Sequence, residues 1–200
     1  MAKFFSPADG GFQPKRRFRF LITFSNLGLE TQYMVTKAAK PSFELTNVTE
    51  HRVLNHTFKF PGIVKWGDID VTLIDAIEPN VGSKFYSVLR NMGYIEPTGI
   101  DQLAGGISKV QANAALGQVV IKQLDAGGQI ISGTGDEFDI NSTPGSGVRY
   151  YEVWVLKNAF SKSVKFGDLD YTSEELVNID IGIVYDYASY TAVPPEGLAL

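Results

Sequence analysis

The sequence predicts a mainly β protein, an antiparallel β-sandwich or barrel with one short flanking α-helix. Three observations predict it. Apolar and polar residues alternate with period two in segment after segment. Short Gly, Pro, Asn and Asp clusters separate those segments, which favours antiparallel neighbours. A single stretch, near residues 81–93, changes to helical period.

The first fifteen residues are rich in Gly and Pro and read as an N-terminal arm, 1–15. RRFRFLITFS comes next, with Phe18, Phe20, Ile22 and Phe24 on one face and Arg17, Arg19 and Thr23 on the other. ETQYMVTKA repeats the alternation more weakly through Tyr33 and Val35. With Gly28 between them, residues 16–38 predict a hairpin.

SFELTNVTEHRVLNHTFKFPG, closed by Pro61-Gly62, predicts a long polar hairpin over 42–60 with its tip near Thr46–His51. Its halves hold little core-forming Leu or Ile, so it is expected to reach toward another subunit. DIDVTLID is the cleanest strand, with Ile69, Val71 and Leu73 on one face and Asp68, Asp70 and Thr72 on the other.

Phe85, Val88, Leu89 and Met92 have i, i+3, i+4, i+7 spacing. Ser83 is the expected N-cap of this helix and Gly93 its stop. Residues 95–117 are Gly/Ala-rich and match no single pattern. QVVIKQLDAGGQIIS predicts a hairpin around Asp125–Gly128, and 133–148 a loop insert. RYYEVWVLKNAF is a strand apolar on nearly both faces. NIDIGIVYDYA is the last strand, with Ile179, Ile181, Ile183 and Tyr185 opposite Asp180 and Asp186. A C-terminal tail is expected over 189–200.

The 200 residues are 44% hydrophobic and 20% charged, which suits one domain over 1–200 with one sizeable core. A net charge of −4 disfavours a nucleic-acid coat, though an acidic surface can handle DNA by repulsion. Cysteine is absent, so thiol chemistry is excluded. No apolar run approaches the roughly 20 residues of a membrane helix, and the first residues lack the apolar core of a signal peptide. The glycosylation-like triplets at Asn47, Asn55 and Asn141 therefore read as chance.

No catalytic, cofactor-binding or metal site emerges. Gly145-Ser146-Gly147 lies in a Pro/Gly loop, not at a strand–turn–helix elbow. His51 and His56, five apart, are expected on opposite strand faces, poor for chelating one metal. Asp68, Asp70, Asp168 and Asp170 could serve a two-carboxylate hydrolase, but they read more simply as solvated strand and turn residues. Asp136, Glu137 and Asp139 do not match a calcium loop, and no phosphate-binding glycine motif occurs. The run Lys15-Arg16-Arg17-Phe18-Arg19 could bind nucleic acid. It also fits a strand with a wet face, or an ion pair across a subunit contact.

VKWGDID at 64–70 and VKFGDLD at 164–170 differ at two positions. The likeness stops there, so it reads as a Gly-Asp bend entering a strand, used twice, and not as a duplicated domain.

KNAFSKSVKFGDLDYTSEELVNIDIGIVYDYA, residues 157–188, resembles the C-terminal segment of tail tube proteins of contractile-tailed bacteriophages. The likeness lies in its NAF, its GDLDY-x-S-x-E turn and its final YDY. FKFPGIVKWGDIDVTLID, residues 58–75, resembles the middle of the same proteins, with a short helix bearing an aromatic like Phe85 after it. The matching segments cover about half of the chain in the family's order, while 95–117 and 133–148 depart from the pattern.

The resemblance implies a β-sandwich with one flanking helix, six copies to a ring, and rings stacked into a hollow tube that conducts DNA. Type VI secretion tubes and related injection machines share that fold, so a protein-delivering tube is the alternative. A β-sandwich hydrolase or carbohydrate-binding module is a more distant one. The implied partners are further copies of the chain, tail sheath, baseplate, tape-measure and tail-terminator proteins, and passing DNA without specific binding. No cofactor and no membrane span are implied, and the expected place is a virion tail assembled in the host cytoplasm.

Subunit contacts are expected at Arg16, Arg17, Arg19, Thr46, Asn47, Thr49, His51, Arg52, Asn55 and His56. Asp68, Asp70, Asp180 and Asp186 are expected to face the lumen and repel phosphate.

Overall fold

A computed structural model describes residues 15–99, 106–124, 150–172 and 174–192. The expected hairpin around Asp125–Gly128, the insert 133–148 and nearly all of the arm 1–15 lie outside them.

Two four-stranded sheets face each other. Sheet I has the order β1 (Phe20–Phe24), β8 (Val119–Leu124), β9 (Tyr150–Lys157), β12 (Tyr187–Ala192). Sheet II has the order β10 (Phe160–Lys165), β11 (Asn178–Val184), β7 (Ile69–Ile74), β2 (Val35–Ala38). Every pairing in both sheets is antiparallel. The alternating residues meet in one core. Ile22, Phe24, Val119 and Ile121 come from sheet I, and Ile69, Val71, Leu73, Ile179, Ile181 and Ile183 from sheet II.

Helix α1 (Val81–Asn91) closes the core with Val81, Phe85 and Val88. Phe85 meets Phe24 edge-on, with ring centres 6.3 Å apart. Its N-cap is Asn80, whose side chain accepts from the Ser83 backbone N–H at 2.7 Å, so the expected cap at Ser83 is corrected by three residues.

A second helix, α2 (Lys109–Leu116), lies in the stretch that matches no single pattern, so the expected single helix becomes two among the described residues. Ser108 caps it, Gly117 ends it at φ 75, and it buries only Ala112, Ala115 and Leu116. That small apolar face gave the sequence pattern little amplitude.

Residues 16–38 do not form the expected hairpin. A 3-10 helix, Leu29–Met34, separates β1 from β2 and carries the chain between sheets, so β1 pairs with β8 and β2 with β7. Thr31 sits at this crossing, fully buried, and its hydroxyl donates to the Leu27 carbonyl at 2.8 Å. The tail is also shorter than expected, because Ser189–Ala192 belong to β12 and pair with β9.

Candidate functional site

Between β2 and β7 the chain leaves the sandwich as a two-stranded arm. The proximal part pairs β3 (Phe43–Thr46) with β6 (Ile63–Trp66), and the distal part pairs β4 (Thr49–Val53) with β5 (His56–Phe60). The turn is Leu54-Asn55, with Leu54 at φ 53 and 87% exposed. The hairpin therefore runs to Trp66 rather than 60, and its tip lies past the expected Thr46–His51. The positive φ at Asn47, 58°, marks a break between the two parts instead of a tip.

Cross-strand pairs share a face, and they sort most of the arm's large apolar residues away from its ion pairs. In the distal part Phe60 opposes Thr49, Phe58 opposes His51, and His56 opposes Val53 on one face. The other face holds the Glu50–Lys59 ion pair, 3.2 Å, and Arg52 beside Thr57. The proximal part repeats the division in part, with Phe43, Trp66, Leu45 and Val64 on one face and the Glu44–Lys65 pair, 3.8 Å, on the other beside Thr46 and the exposed Ile63. The arm is thus amphipathic, not polar as expected. His51 and His56 share a face, contrary to expectation, because the turn between them reverses the chain. No group of acids and histidines able to hold a metal occurs among the described residues.

Every residue of β4 and β5 is exposed. An isolated two-stranded ribbon is marginal in water, and its surface ion pairs contribute only about 0–1 kcal/mol each. Large apolar side chains left outside in one patch mark a contact surface.

The base of the arm is held firmly. Trp66 packs on Phe43 at 5.7 Å and on the buried Tyr185 at 6.0 Å. The Gly67 N–H donates to the Ser42 carbonyl at 2.8 Å. Lys40, just before β3, and Lys15, just before β1, both donate to the Glu152 carboxylate. Glu152 is 5% exposed and directly opposes Gln123 across β8 and β9. Burial alone would raise its pKa, but the hydrogen bonds from Lys15 and Lys40 outweigh it and hold the carboxyl below its ordinary value. Sequence reasoning missed Glu152. Its signal was a lone acid in the otherwise apolar strand RYYEVWVLKNAF.

The basic run lies beside this anchor. The Gln123 side chain donates to the Arg16 carbonyl at 2.7 Å and the Arg19 carbonyl at 3.0 Å, which fixes the backbone. Arg16 and Arg17 point their charges into solvent, and the Arg19 guanidinium sits 5.5 Å from the exposed Phe18 ring.

The structure gathers Asp68, Asp70 and Asp180 on the outer face of sheet II and sets Asp186 apart. Asp70 opposes Gly182, and Asp180 opposes Thr72, whose hydroxyl donates to it at 2.7 Å. Lysines interrupt this face. Lys162 pairs with Asp68 at 2.8 Å, Lys165 opposes Asp180, and Lys37 opposes Thr72. Asp186 lies past β11, bound by Lys109 at 2.7 Å and by the Asn158 amide at 2.7 Å. Those two donors, Lys109 first, lower its pKa.

Asp168 and Asp170 lie in the exposed loop after β10, and Asp170 is occupied in accepting from the Thr172 N–H and hydroxyl, 2.9 Å each. An open groove of about 700 Å³ runs between α1, α2 and the turn after β1. Asn26, Ser83, Ser87, Asn91 and Gln111 line it, with Lys84 as its charged group. Lys84 is already satisfied by the Leu27 carbonyl and by Glu30, and the groove's lining holds no acid/base pair. No described helix is long and apolar enough to cross a membrane.

No family model and no curated protein matches the sequence. Solved structures do match. One is a chain of the extracellular contractile injection system PVC, from its sheath–tube complex in the extended state. It is 16% identical with TM-score 0.57, over 90% of this chain and 93% of that one. Another is from the six-fold-symmetrised baseplate of the anti-feeding prophage, 16% identical with TM-score 0.56, over 90% and 97%. A third is from the cap that terminates the tube of the same prophage, 18% identical with TM-score 0.54, over 91% and 93%. At these identities the likeness establishes a shared fold, and it spans nearly the whole of each chain.

Proposed function

We propose that this chain is the structural subunit of the hollow inner tube of a contractile injection assembly, with six copies to a ring and rings stacked end to end. The observation that carries the reading is the arm. A firmly anchored ribbon, apolar on one face and exposed throughout its distal strands, stands out from a β-sandwich that is otherwise able to bury its own core. Such a face is stable when a neighbouring copy covers it. Head-to-tail contacts of that kind close into rings or extend into filaments.

The arm residues Thr46, Asn47, Thr49, His51, Arg52, Asn55 and His56 then become contacts between rings. The phage-like segments at 58–75 and 157–188 support a phage tail that conducts DNA, surrounded by sheath and ended by baseplate and terminator. A second reading, a particle that delivers protein cargo, is favoured by the fold shared with a chain of an extracellular contractile injection system.

In either setting the outer face of sheet II, with Asp68, Asp70 and Asp180, is proposed to line the lumen. Its lysines leave it near neutral rather than strongly repelling. Asp186, neutralised by Lys109, contributes little there.

Negative-stain electron microscopy of the purified protein over a concentration series, with mass photometry beside it, tests the reading. Rings or hollow tubes are expected. A chain that stays monomeric and also fails to extend tubes from added baseplates overturns it.

A further inference from the structure

The loop between β10 and β11, residues 166–177, carries several exposed apolar side chains away from the arm. Phe166, Leu169, Tyr171 and Leu176 all face solvent, and Leu169 is 88% exposed. The loop contains Asp168, Asp170, Glu174 and Glu175 and no basic residue. Asp170 caps the turn at Thr172, and the Val177 carbonyl accepts from the Asp75 N–H at 2.8 Å.

The complementary surface is on the same chain. Arg16, Arg17 and Arg19 flank the exposed Phe18 in sequence, so an apolar, acidic loop is matched by an aromatic, basic segment. The two cannot meet within one molecule. Asp75, which bonds the loop, comes directly after the last residue of β7. The Ala39 N–H bonds the Asp70 carbonyl at the start of β7, and Lys40 next to it shares Glu152 with Lys15. The surfaces therefore lie beyond opposite ends of β7, whose six residues span roughly 20 Å. Complementary patches at opposite ends of one subunit call for a head-to-tail contact between copies. The arm leaves from the same end as the basic segment, so both would engage the next copy together.

We infer that the loop 166–177 of one copy receives the segment Lys15–Arg19 of a second copy, as the sandwich-to-sandwich contact between successive rings. This inference rests on the stacked-ring reading above. It also assigns a use to the second heptad, VKFGDLD, which builds the receiving loop rather than a strand.

Disulfide trapping tests it cleanly, because the chain has no cysteine of its own. Arg17→Cys and Tyr171→Cys together, oxidised with copper phenanthroline, should give a ladder of linked chains, while each single variant, with no cysteine opposite its own, should stay unlinked. The charge variants Arg16→Glu/Arg17→Glu and Asp168→Lys/Glu174→Lys should each raise the concentration needed for stacking about tenfold or more. Mixed together, they should stack again. The substituted side chains make no ion pair among the described residues, so unchanged melting temperatures serve as the control. If wild-type rings stack, both charge variants stack equally well and no ladder forms, this contact is overturned and the tube reading stands. A wild-type chain that never associates, even on added baseplates, overturns both.

Discussion

VKWGDID and VKFGDLD share five of seven residues, yet Ile69 is 0% exposed where its counterpart Leu169 is 88% exposed. Trp66 packs on the buried Tyr185, while Phe166 faces solvent. The difference comes from the residues C-terminal to each heptad. After the first heptad the alternation continues through Val71 and Leu73, and β7 lies between β11 and β2 with neighbours on both sides. After the second comes Tyr-Thr-Ser-Glu-Glu, which has no apolar face to offer. Its parent strand β10 is an edge strand of sheet II. A short motif sets a bend, but burial is set by the face that the neighbouring residues present and by the strands available to cover it.

Substitutions at matched positions should pull the two heptads apart. Ile69→Ala opens a cavity in the shared core and should cost about 2–4 kcal/mol in urea unfolding. Leu169→Ala should stay within about 0.5 kcal/mol and show its effect only in assembly. Equal losses at both positions would contradict the contrast. Trp66→Ala removes the wedge between Phe43 and Tyr185 and should cost about 2 kcal/mol. Faster proteolysis confined to the arm would accompany it, whereas Phe166→Ala should leave the cleavage pattern unchanged.

Acid separates the two ends of the subunit as well. Glu152, whose folded pKa is lowered, contributes stability that is fully present above the ordinary glutamate value near 4.3 and is lost as pH falls through the folded value. Glu152→Gln should therefore destabilise by about 1–2 kcal/mol at pH 7, with the gap to wild type closing below about pH 4. A gap that does not narrow at all on acidification would assign the loss to packing instead.

The glycines reverse the order. Gly167 sits at φ 84, and a Cβ there meets the Asn178 carbonyl oxygen at 2.6 Å. At Gly67 a Cβ clashes only with the Ser42 hydroxyl, at 2.7 Å, which can swing aside. Gly167→Ala should thus cost about 1 kcal/mol or more and Gly67→Ala less, as read by melting temperature.

Much of the fold was legible where alternation was strong. β7 and β11 could be read with their faces correct, because Ile69, Val71 and Leu73 alternate with Asp70 and Thr72, and Ile179, Ile181 and Ile183 with Asp180 and Gly182. Helix α1 was legible from Phe85, Val88 and Met92. The arm was legible as a hairpin, but its apolar face was not. Phe58 and Phe60 in the distal part, and Leu45 and Val64 in the proximal part, look ordinary until the register through Leu54-Asn55 sets each pair on one face of its own part. Likewise nothing in the spacing of Lys15, Lys40 and Glu152 announces that they converge.

By itself, the sequence determined the fold class, the faces of its best strands and the one strongly periodic helix, since these depend on side-chain period and turn chemistry within a few residues. Tertiary structure alone decided that β1 joins β8 and β2 joins β7, that α2 forms under a small alanine face, and that one heptad is buried while its near copy stands in water. Alternation says which way a side chain points and never which strand will cover it. That choice belongs to the packing of the whole chain.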